Sequence, residues 1–467
     1  MDSANPAILP KIDARPKPQA HLRALEPWLE PIYFFRALAN YIDCDMALFR
    51  RHGDVVRVRL PTDMILFSRP DHIKHILRTN VLNYPKSFQY DMLRPILGDG
   101  IFVSDGDVWT RQRRLLAPEF RENAVARFVP PMVECAEKLF ASWDAKGARE
   151  PVDVSADMMR LTLWIIGRAM FKSEFLQETE IIGHSLEVCL AHATLRMLSM
   201  GLYKDWLPTR GNREARAAEK ALNDAIMDLI RQEREGAEGT PDVLSRMIRA
   251  RDPETGAAMS DKQLLDETKS LVLAGHETTS LALSWTFYLL SKHPDAEEKL
   301  VEEATRVLGD RSPTAEDISK LVYSRQVFLE SMRLYPPVPG ISRNTLADDV
   351  IDGIVVPAGQ LVAISPYVAH RHPDYWTNPE QFDPDRFSQK RAETIEPYSY
   401  MPFLLGRRQC LGEHFAMLEG PLLLSMILRR YAFKRVSDEP IRTRPIATLR
   451  LAKPLVMYVR KRESRNA

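Results

Sequence analysis

A chain of 467 residues, 45% of them hydrophobic, can bury a large core and is long enough for more than one domain. Lys and Arg total 64 against 63 Asp and Glu, so no charge excess points to nucleic acid or to a general attraction for anionic membrane. Cys44, Cys135, Cys189 and Cys410 lie far apart with no CxxC pair, which speaks against a zinc site or a disulfide framework and fits a reducing cytoplasm.

Residues 1–30, rich in proline and charge, read as an N-terminal arm laid over the surface, with no apolar run long enough for a signal peptide or a bilayer span. A helix is expected next, through Phe34, Ala37, Leu38 and Ile42. Alternation then predicts two strands, through Val56, Val58 and Leu60 and through Met64, Leu66 and Ser68, joined by a turn at Pro61-Thr62-Asp63. From 109 to about 339 the period is predominantly helical, with polar breaks near Gly147, Gly211 and Gly239 and no internal repeat. Within it, Ser260 and Gln263 form a capping-box pattern that opens a helix predicted to run to about His293-Pro294, roughly 50 Å at 1.5 Å per residue. The apolar stretch 271–290 is interrupted by Gly275, His276, Glu277, Thr278 and Thr279, groups costly to turn toward lipid, so it predicts a buried core helix. Short strands are expected at 351–356 and 361–364. No linker, low-complexity segment or GxGxxG is present, which argues against a fused flavin or nicotinamide domain. The expected fold is one large, mainly α domain with small β-sheets over residues 31–467.

Four constellations carry chemistry. Phe403-Leu404-Leu405-Gly406-Arg407-Arg408-Gln409-Cys410-Leu411-Gly412 precedes an apolar helical pattern through Phe415, Leu418 and Leu422. A metal-binding thiolate must stay deprotonated, and a cysteine at a helix N-terminus gains from the dipole, from nearby N–H donors and from the metal itself. Gly406 permits a tight turn. A lone cysteine is usually a small buried hydrophobe, and the residues around Cys410 weigh against that. Ala274-Gly275-His276-Glu277-Thr278-Thr279 sets an acid beside an alcohol, as proton delivery needs, although a Ser/Thr-rich kink is the plainer reading of that motif alone. Glu330 and Arg333 lie three apart on a helix that Pro336-Pro337 must end, and such pairs are ordinarily solvated. Trp109 and Arg113 share a helical face, while Arg111 and Arg114 read equally well as a solvated basic face. His276, His370, His372 and His414 show no metal-ligand spacing and read as ordinary histidines.

Together these motifs resemble the cytochrome P-450 family over about residues 30–460. The cysteine segment matches that family's haem loop, F-x-x-G-x-R-x-C-x-G, at every fixed position, and Ala416 matches in the following helix. AGHETT matches A/G-G-x-D/E-T-T, Glu330 and Arg333 match ExxR, Phe382-Asp383-Pro384-Asp385-Arg386-Phe387 matches F-x-P-x-R-F, and Trp109 with Arg113 matches WxxxR. The resemblance implies a mainly helical triangular prism with haem b lying between the helix that bears Glu277 and the loop that bears Cys410. Cys410 would be the axial thiolate, Phe403 would shield its sulfur, and Gly412 would let the helix approach the porphyrin. Arg408, Trp109, Arg113 and Arg343 would meet haem propionates. Gly275, beside Ala274, would leave room for dioxygen and bend the helix, with Glu277 and Thr278 delivering protons. Glu330, Arg333 and Arg386 would form a structural triad that locks the cysteine loop.

The function implied is a soluble cytoplasmic monooxygenase that inserts one atom of O2 into an apolar substrate, a fatty acid, terpenoid or steroid-like molecule. Fatty acid comes first, because an intact acid–alcohol pair recurs in fatty-acid hydroxylases. Electrons would come from a separate ferredoxin or flavodoxin with its NAD(P)H-dependent reductase, and Arg111, Arg114 and Arg407 could form a basic patch for such a partner. Segments 88–102, 190–207, 271–278, 338–341 and 446–449 would line a mostly apolar pocket. A peroxide-driven or rearranging haem-thiolate enzyme is the alternative, though such members often lack the acid–alcohol pair. A haem-based sensor or an apolar-ligand carrier would not need Glu277 and Thr278. One departure from the family pattern is Gly420-Pro421, where Pro421 removes a backbone donor and is expected to interrupt and bend the helix after Cys410.

Overall fold

The computed structural model describes residues 22–59, 62–147, 149–171, 176–198, 206–235 and 242–463. Residues 1–21 of the expected arm, Leu60 and Pro61, the break near Gly239 and residues 199–205 of the expected pocket lie outside them. The chain divides into two units, one of Met1–Ser87, Arg325–Cys410 and Thr443–Arg450, the other of Phe88–Ser324, Leu411–Arg442 and Leu451–Ala467.

The first unit is built on a five-stranded sheet in the order Arg23–Ala24, Val55–Val58, Met64–Phe67, Leu361–Ile364, Ile341–Asn344. Val55 pairs with Phe67 and Val58 with Met64 antiparallel, while Met64–Phe67 runs parallel to Leu361–Ile364. Both faces are covered. Val55, Ile65 and Phe67 pack with Val362 and Ile364, whereas Val56 and Val58 pack with Leu25, Tyr33, Cys44 and Leu48 from the other side. The expected hydrophobic–polar alternation is therefore replaced by a nearly continuous apolar run, as a doubly covered sheet requires.

Three expectations change in this unit. Arg23 and Ala24, assigned to the arm, form a strand parallel to Val55–Val58. The helix Glu30–His52 breaks at Asn40 (φ −160°, ψ 92°), so Ile42 is buried while Leu38 stays exposed. The single strand expected at 351–356 is a hairpin, Asp349–Ile351 with Ile354–Val356. Its loop residues Asp352 and Gly353 both have positive φ, 49° and 80°, the conformation an Asp-Gly hairpin turn uses.

The second unit is helical, with a three-stranded antiparallel sheet of Pro151–Asp153, Val456–Lys461 and Tyr431–Arg435. Its longest helix is Asp261–Leu290, capped where Ser260 Oγ accepts from Gln263 N at 3.2 Å and ending three residues before His293. Thirty residues at 1.5 Å make about 45 Å. The helix Val154–Met170 lies along it, with Thr162 Oγ1 donating to the His276 carbonyl at 2.8 Å. The break expected near Gly211 falls just before it, where residues 206–209 lie outside any helix and Thr209 Oγ1 accepts from Asn212 N; Arg210–Glu235 then runs through Gly211.

The interruption expected at Gly420-Pro421 does not occur. Glu413–Arg430 is one helix with Pro421 inside it. Every residue from Met417 to Leu428 is buried, and that apolar burial exceeds the roughly 3 kcal/mol that an internal proline costs.

Candidate active site

The cysteine loop in the first unit is shaped by two left-handed residues, Leu404 (φ 57°) and Gly406 (φ 75°). Gly406 is required twice over, because a Cβ there would also lie 2.2 Å from the Leu77 carbonyl oxygen. The turn Gly406–Arg408 then brings Cys410 N to 2.8 Å from the Phe403 carbonyl, which it donates to, so Phe403 and Cys410 close one loop. Cys44, Cys135 and Cys189 are buried, and burial pushes their thiols up to about 11, 12 and 11. Cys410 is exposed. Of the four, only this sulfur is placed to reach an external group.

That loop is tied to a buried ionic cluster. Arg333 makes two bonds to Glu330, Nε to Oε2 at 2.7 Å and Nη2 to Oε1 at 2.8 Å, and both side chains are 0% exposed. Arg333 also donates to the carbonyls of His370, Pro379 and Gln381 at 3.0, 2.6 and 3.0 Å. Arg386 Nε lies 3.3 Å from Glu330 Oε1, and Asp383 N donates to the same oxygen at 2.9 Å. The structure thus brings Glu330, Arg333 and Arg386 together. Burial lowers the Arg386 pKa while Glu330 opposes the shift.

His370, read from sequence as ordinary, is a bracket in the same cluster. Its Nδ1–H donates to the Arg333 carbonyl at 3.2 Å and its Nε2 accepts from Met401 N at 2.9 Å, two residues before Phe403. Burial, reinforced by the Arg333 charge, holds it neutral with a pKa of about 3. No spacing in the sequence marks it, because its partners are backbone groups. Arg343 sits 2% exposed in the strand Ile341–Asn344, where its Nη1 donates to the Ser342 carbonyl at 2.8 Å.

In the second unit, Ala274 to Thr279 lie within Asp261–Leu290. From Asp266 to Leu290 every residue is buried except Ala274, Gly275 and Thr278. Ala274 and Thr278 are four apart and share a face, so the helix opens one narrow accessible strip at this motif. Thr278 Oγ1 donates to the Ala274 carbonyl at 2.7 Å, which leaves its lone pairs able to accept. Glu277 is 6% exposed. Gly275 also has a packing role: a Cβ there would lie 2.8 Å from Ile166 Cδ1 on Val154–Met170, and the helix continues through it.

Glu419, which the motifs do not cover, is 0% exposed on the helix after Cys410, and neither of its carboxylate oxygens has a hydrogen-bond partner among the described residues. Burial pushes its carboxyl well above the usual range. Gly412 caps that helix, with nothing within 4 Å of where its Cβ would be.

Trp109, 5% exposed, and Arg113 stand four apart on Gly106–Leu116. Arg111 and Arg114 are not a bare basic face. Arg114 Nη2 pairs with buried Asp252 at 3.0 Å and Nη1 with Glu254, while Arg111 Nη2 donates to the Ala258 carbonyl at 2.9 Å. The 88–102 segment is pinned by Asp99 N to Asp266 Oδ2 at 3.0 Å and Ile101 N to Glu267 Oε2 at 2.9 Å. A cavity there sets Met92 and Ile96 against Cys189, His192, Asn212 and Arg216, so the wall carries polar groups besides the apolar ones expected.

The family model described as cytochrome P450 matches residues 31–458. The chain belongs to the cytochrome P-450 family. Cyclooctatin synthase of Streptomyces melanosporofaciens is 35% identical over 88% of this chain and 90% of its own. Cyclooctat-9-en-7-ol 5-monooxygenase of the same organism is 32% identical over 89% and 87%. The crystal structure of the cytochrome P450DA haem domain superposes with a TM-score of 0.83 at 28% identity, covering 91% of this chain and 93% of that one. As a cytochrome P-450 the protein has the mainly α fold of that family and is a haem-thiolate monooxygenase. It inserts one atom of O2 into an apolar substrate with electrons from redox partners, and a cysteine thiolate holds its haem iron. An exposed thiol on a clamped loop, a Gly412 with open space beside it and one accessible strip on a buried helix fit that group. Among the described residues, no helix is long and apolar enough to cross a membrane.

Proposed function

We propose that Cys410 is the thiolate ligand, that Glu277 and Thr278 deliver protons, and that the substrate is an apolar terpenoid. The observation that carries this reading is the strip of Ala274, Gly275 and Thr278, the one accessible stretch between Asp266 and Leu290 of this helix, with an acid and an alcohol at it. Haem bearing a thiolate ligand supplies the oxygen-activating chemistry when bound. The residues of the chain do the rest. Cys410 presents its sulfur just ahead of the helix Glu413–Arg430, whose dipole favours the anion. Phe403 would shield the sulfur, Gly406 and Gly412 would let the backbone pass close to the haem, and Arg408, Trp109, Arg113 and Arg343 would hold its propionates. Thr278, its proton committed to the Ala274 carbonyl, accepts from a water that Glu277 recharges. Glu330, Arg333 and Arg386 are structural. Residues 31–467 act as one haem-binding domain, supported by the family match over 31–458.

For the substrate, the support is the relative named for cyclooctat-9-en-7-ol, an unsaturated alcohol by that name. A fatty acid is the second reading, favoured by the intact Glu277–Thr278 pair. Electrons come from a ferredoxin or flavodoxin with its NAD(P)H-dependent reductase, and the protein works as a soluble cytoplasmic enzyme. Arg407, exposed beside the loop, would contribute to a surface for an acidic partner. The decisive variant is Cys410→Ser, expected to lose the red-shifted Soret band of the carbon-monoxide complex because an alcohol cannot supply the soft anionic donor. Retention of that band would remove Cys410 as the ligand. Titrating the holoenzyme with terpenoid alcohols and fatty acids, read by Soret shift and then by product formation, ranks the two substrate classes.

A further inference from the structure

Asp349 begins the first strand of the Asp349–Ile351 hairpin, yet most of its carboxylate is committed elsewhere. Its Oδ2 takes three donors from an early segment of the chain: His75 Nε2 at 2.7 Å, Asn80 Nδ2 at 3.0 Å and the Tyr84 hydroxyl at 2.7 Å. Its Oδ1 accepts from Val350 N at 2.8 Å. The side chain is 13% exposed. Burial alone would raise this carboxyl, but the Tyr84, His75 and Asn80 bonds outweigh it and hold the pKa at about 2. The hairpin does not need this arrangement to close. Neighbouring Asp348 already caps it by accepting from Ala358 N at 2.8 Å.

What the three donors flank is unusual. His75–Thr79 is a single π-helical turn, closed by Asn80 N donating to the His75 carbonyl at 2.9 Å. Such turns are rare and need outside support. Asp349 grips its first residue and the residue that closes it. At the middle of the turn, the Leu77 carbonyl lies so close to Gly406 that a Cβ would come to 2.2 Å of it. Leu404 and Leu405 pack on the core that contains Ile76 and Leu77, and Arg78 Nη1 donates to the Tyr398 hydroxyl at 3.1 Å. The loop that carries Cys410 therefore rests on this turn.

We infer that Asp349 is a positioning residue for the cysteine loop: by holding the His75–Thr79 turn in place it sets where Gly406, and through it the Cys410 sulfur, comes to lie. This rests on Cys410 being the thiolate ligand. An asparagine cannot substitute for the carboxylate. Its amide either keeps an oxygen toward the three donors and turns NH2 onto Val350 N, or the reverse.

The test uses the full-length holoenzyme with Asp349→Asn, Asp349→Ala and the milder Tyr84→Phe, with Asp348→Asn as control. In the Asp349 variants part of the ferrous carbon-monoxide spectrum should move from the red-shifted thiolate band to the band of haem that has lost its thiolate. Amide exchange at 75–80 and 404–410 of the holoenzyme should rise by about tenfold, as expected when partly buried charge-assisted bonds are lost. Tyr84→Phe should move both readouts the same way by less, and Asp348→Asn should move neither. The inference is overturned if the thiolate band and the exchange at 404–410 stay at wild-type values while only 75–84 or the melting temperature changes. Should Asp349→Ala not fold, Asp349→Asn and Tyr84→Phe decide the matter. Cys410→Ser run alongside separates the two readings: a red-shifted band that survives in it removes the ligand assignment, whatever the Asp349 variants do.

Discussion

Replacing Arg333 by Ala should all but abolish haem-loaded protein, and the structure sets how severely. The guanidinium makes five hydrogen bonds, two to Glu330 and one each to the His370, Pro379 and Gln381 carbonyls, at complete burial. Removing it leaves the Glu330 carboxylate at 0% exposure with the longer Arg386 contact of 3.3 Å and one backbone donor. Breaking a buried pair in this way costs about 3–5 kcal/mol, and each orphaned carbonyl adds about 1 kcal/mol. The total approaches the whole stability of a typical domain, about 5–15 kcal/mol. Arg386→Ala should be milder, about 2 kcal/mol, because it removes one long carboxylate contact and the 2.8 Å bond to the Asn378 carbonyl while the Glu330–Arg333 pair survives. Arg333→Lys should fall between, since one ammonium cannot reach five acceptors. The measurements are haem-to-protein ratio and thermal unfolding of the purified variants. Wild-type loading and melting in Arg333→Ala, or a reversed order of Arg333→Ala and Arg386→Ala, would refute the reasoning.

Thr278→Ala separates two roles for one hydroxyl. If Thr278 only braces the helix through Ala274, product formed per nicotinamide oxidised stays unchanged; if it holds the proton-delivering water, that ratio falls and hydrogen peroxide rises to match. The second outcome is expected, with haem binding retained. His370 predicts a pH dependence whose sign is set by its lowered pKa. The unfolded chain binds a proton near 6.5 and the folded one only near 3, so the stability this histidine contributes is complete above 6.5 and is lost as pH falls from 6.5 toward 3. His370→Gln, which keeps one donor and one acceptor, should flatten the fall in stability between those pH values by up to about 1.4 kcal/mol per pH unit. Denaturant unfolding at several pH values checks this, and parallel slopes for wild type and variant would rule it out.

The sequence by itself singled out the candidate chemistry-bearing positions. Cys410, Glu277, Thr278, Glu330 and Arg333 are legible because each belongs to a motif whose spacing follows one helix or one tight loop, where residue number converts directly into geometry. The same holds for the capped helix opening at Ser260. Tertiary structure alone decided what depends on segments distant in the chain. The hairpin at Asp352-Gly353 carried a turn signal, but the apolar run around it read as one strand. Gly275 serves the packing of Ile166, Pro421 stays inside a helix because burial outweighs one lost bond, and His370 and Asp349 act through partners far away in sequence. Long-range contacts of this kind follow no local period, since burial and hydrogen-bond satisfaction are properties of the packed chain and come into being only when distant segments meet.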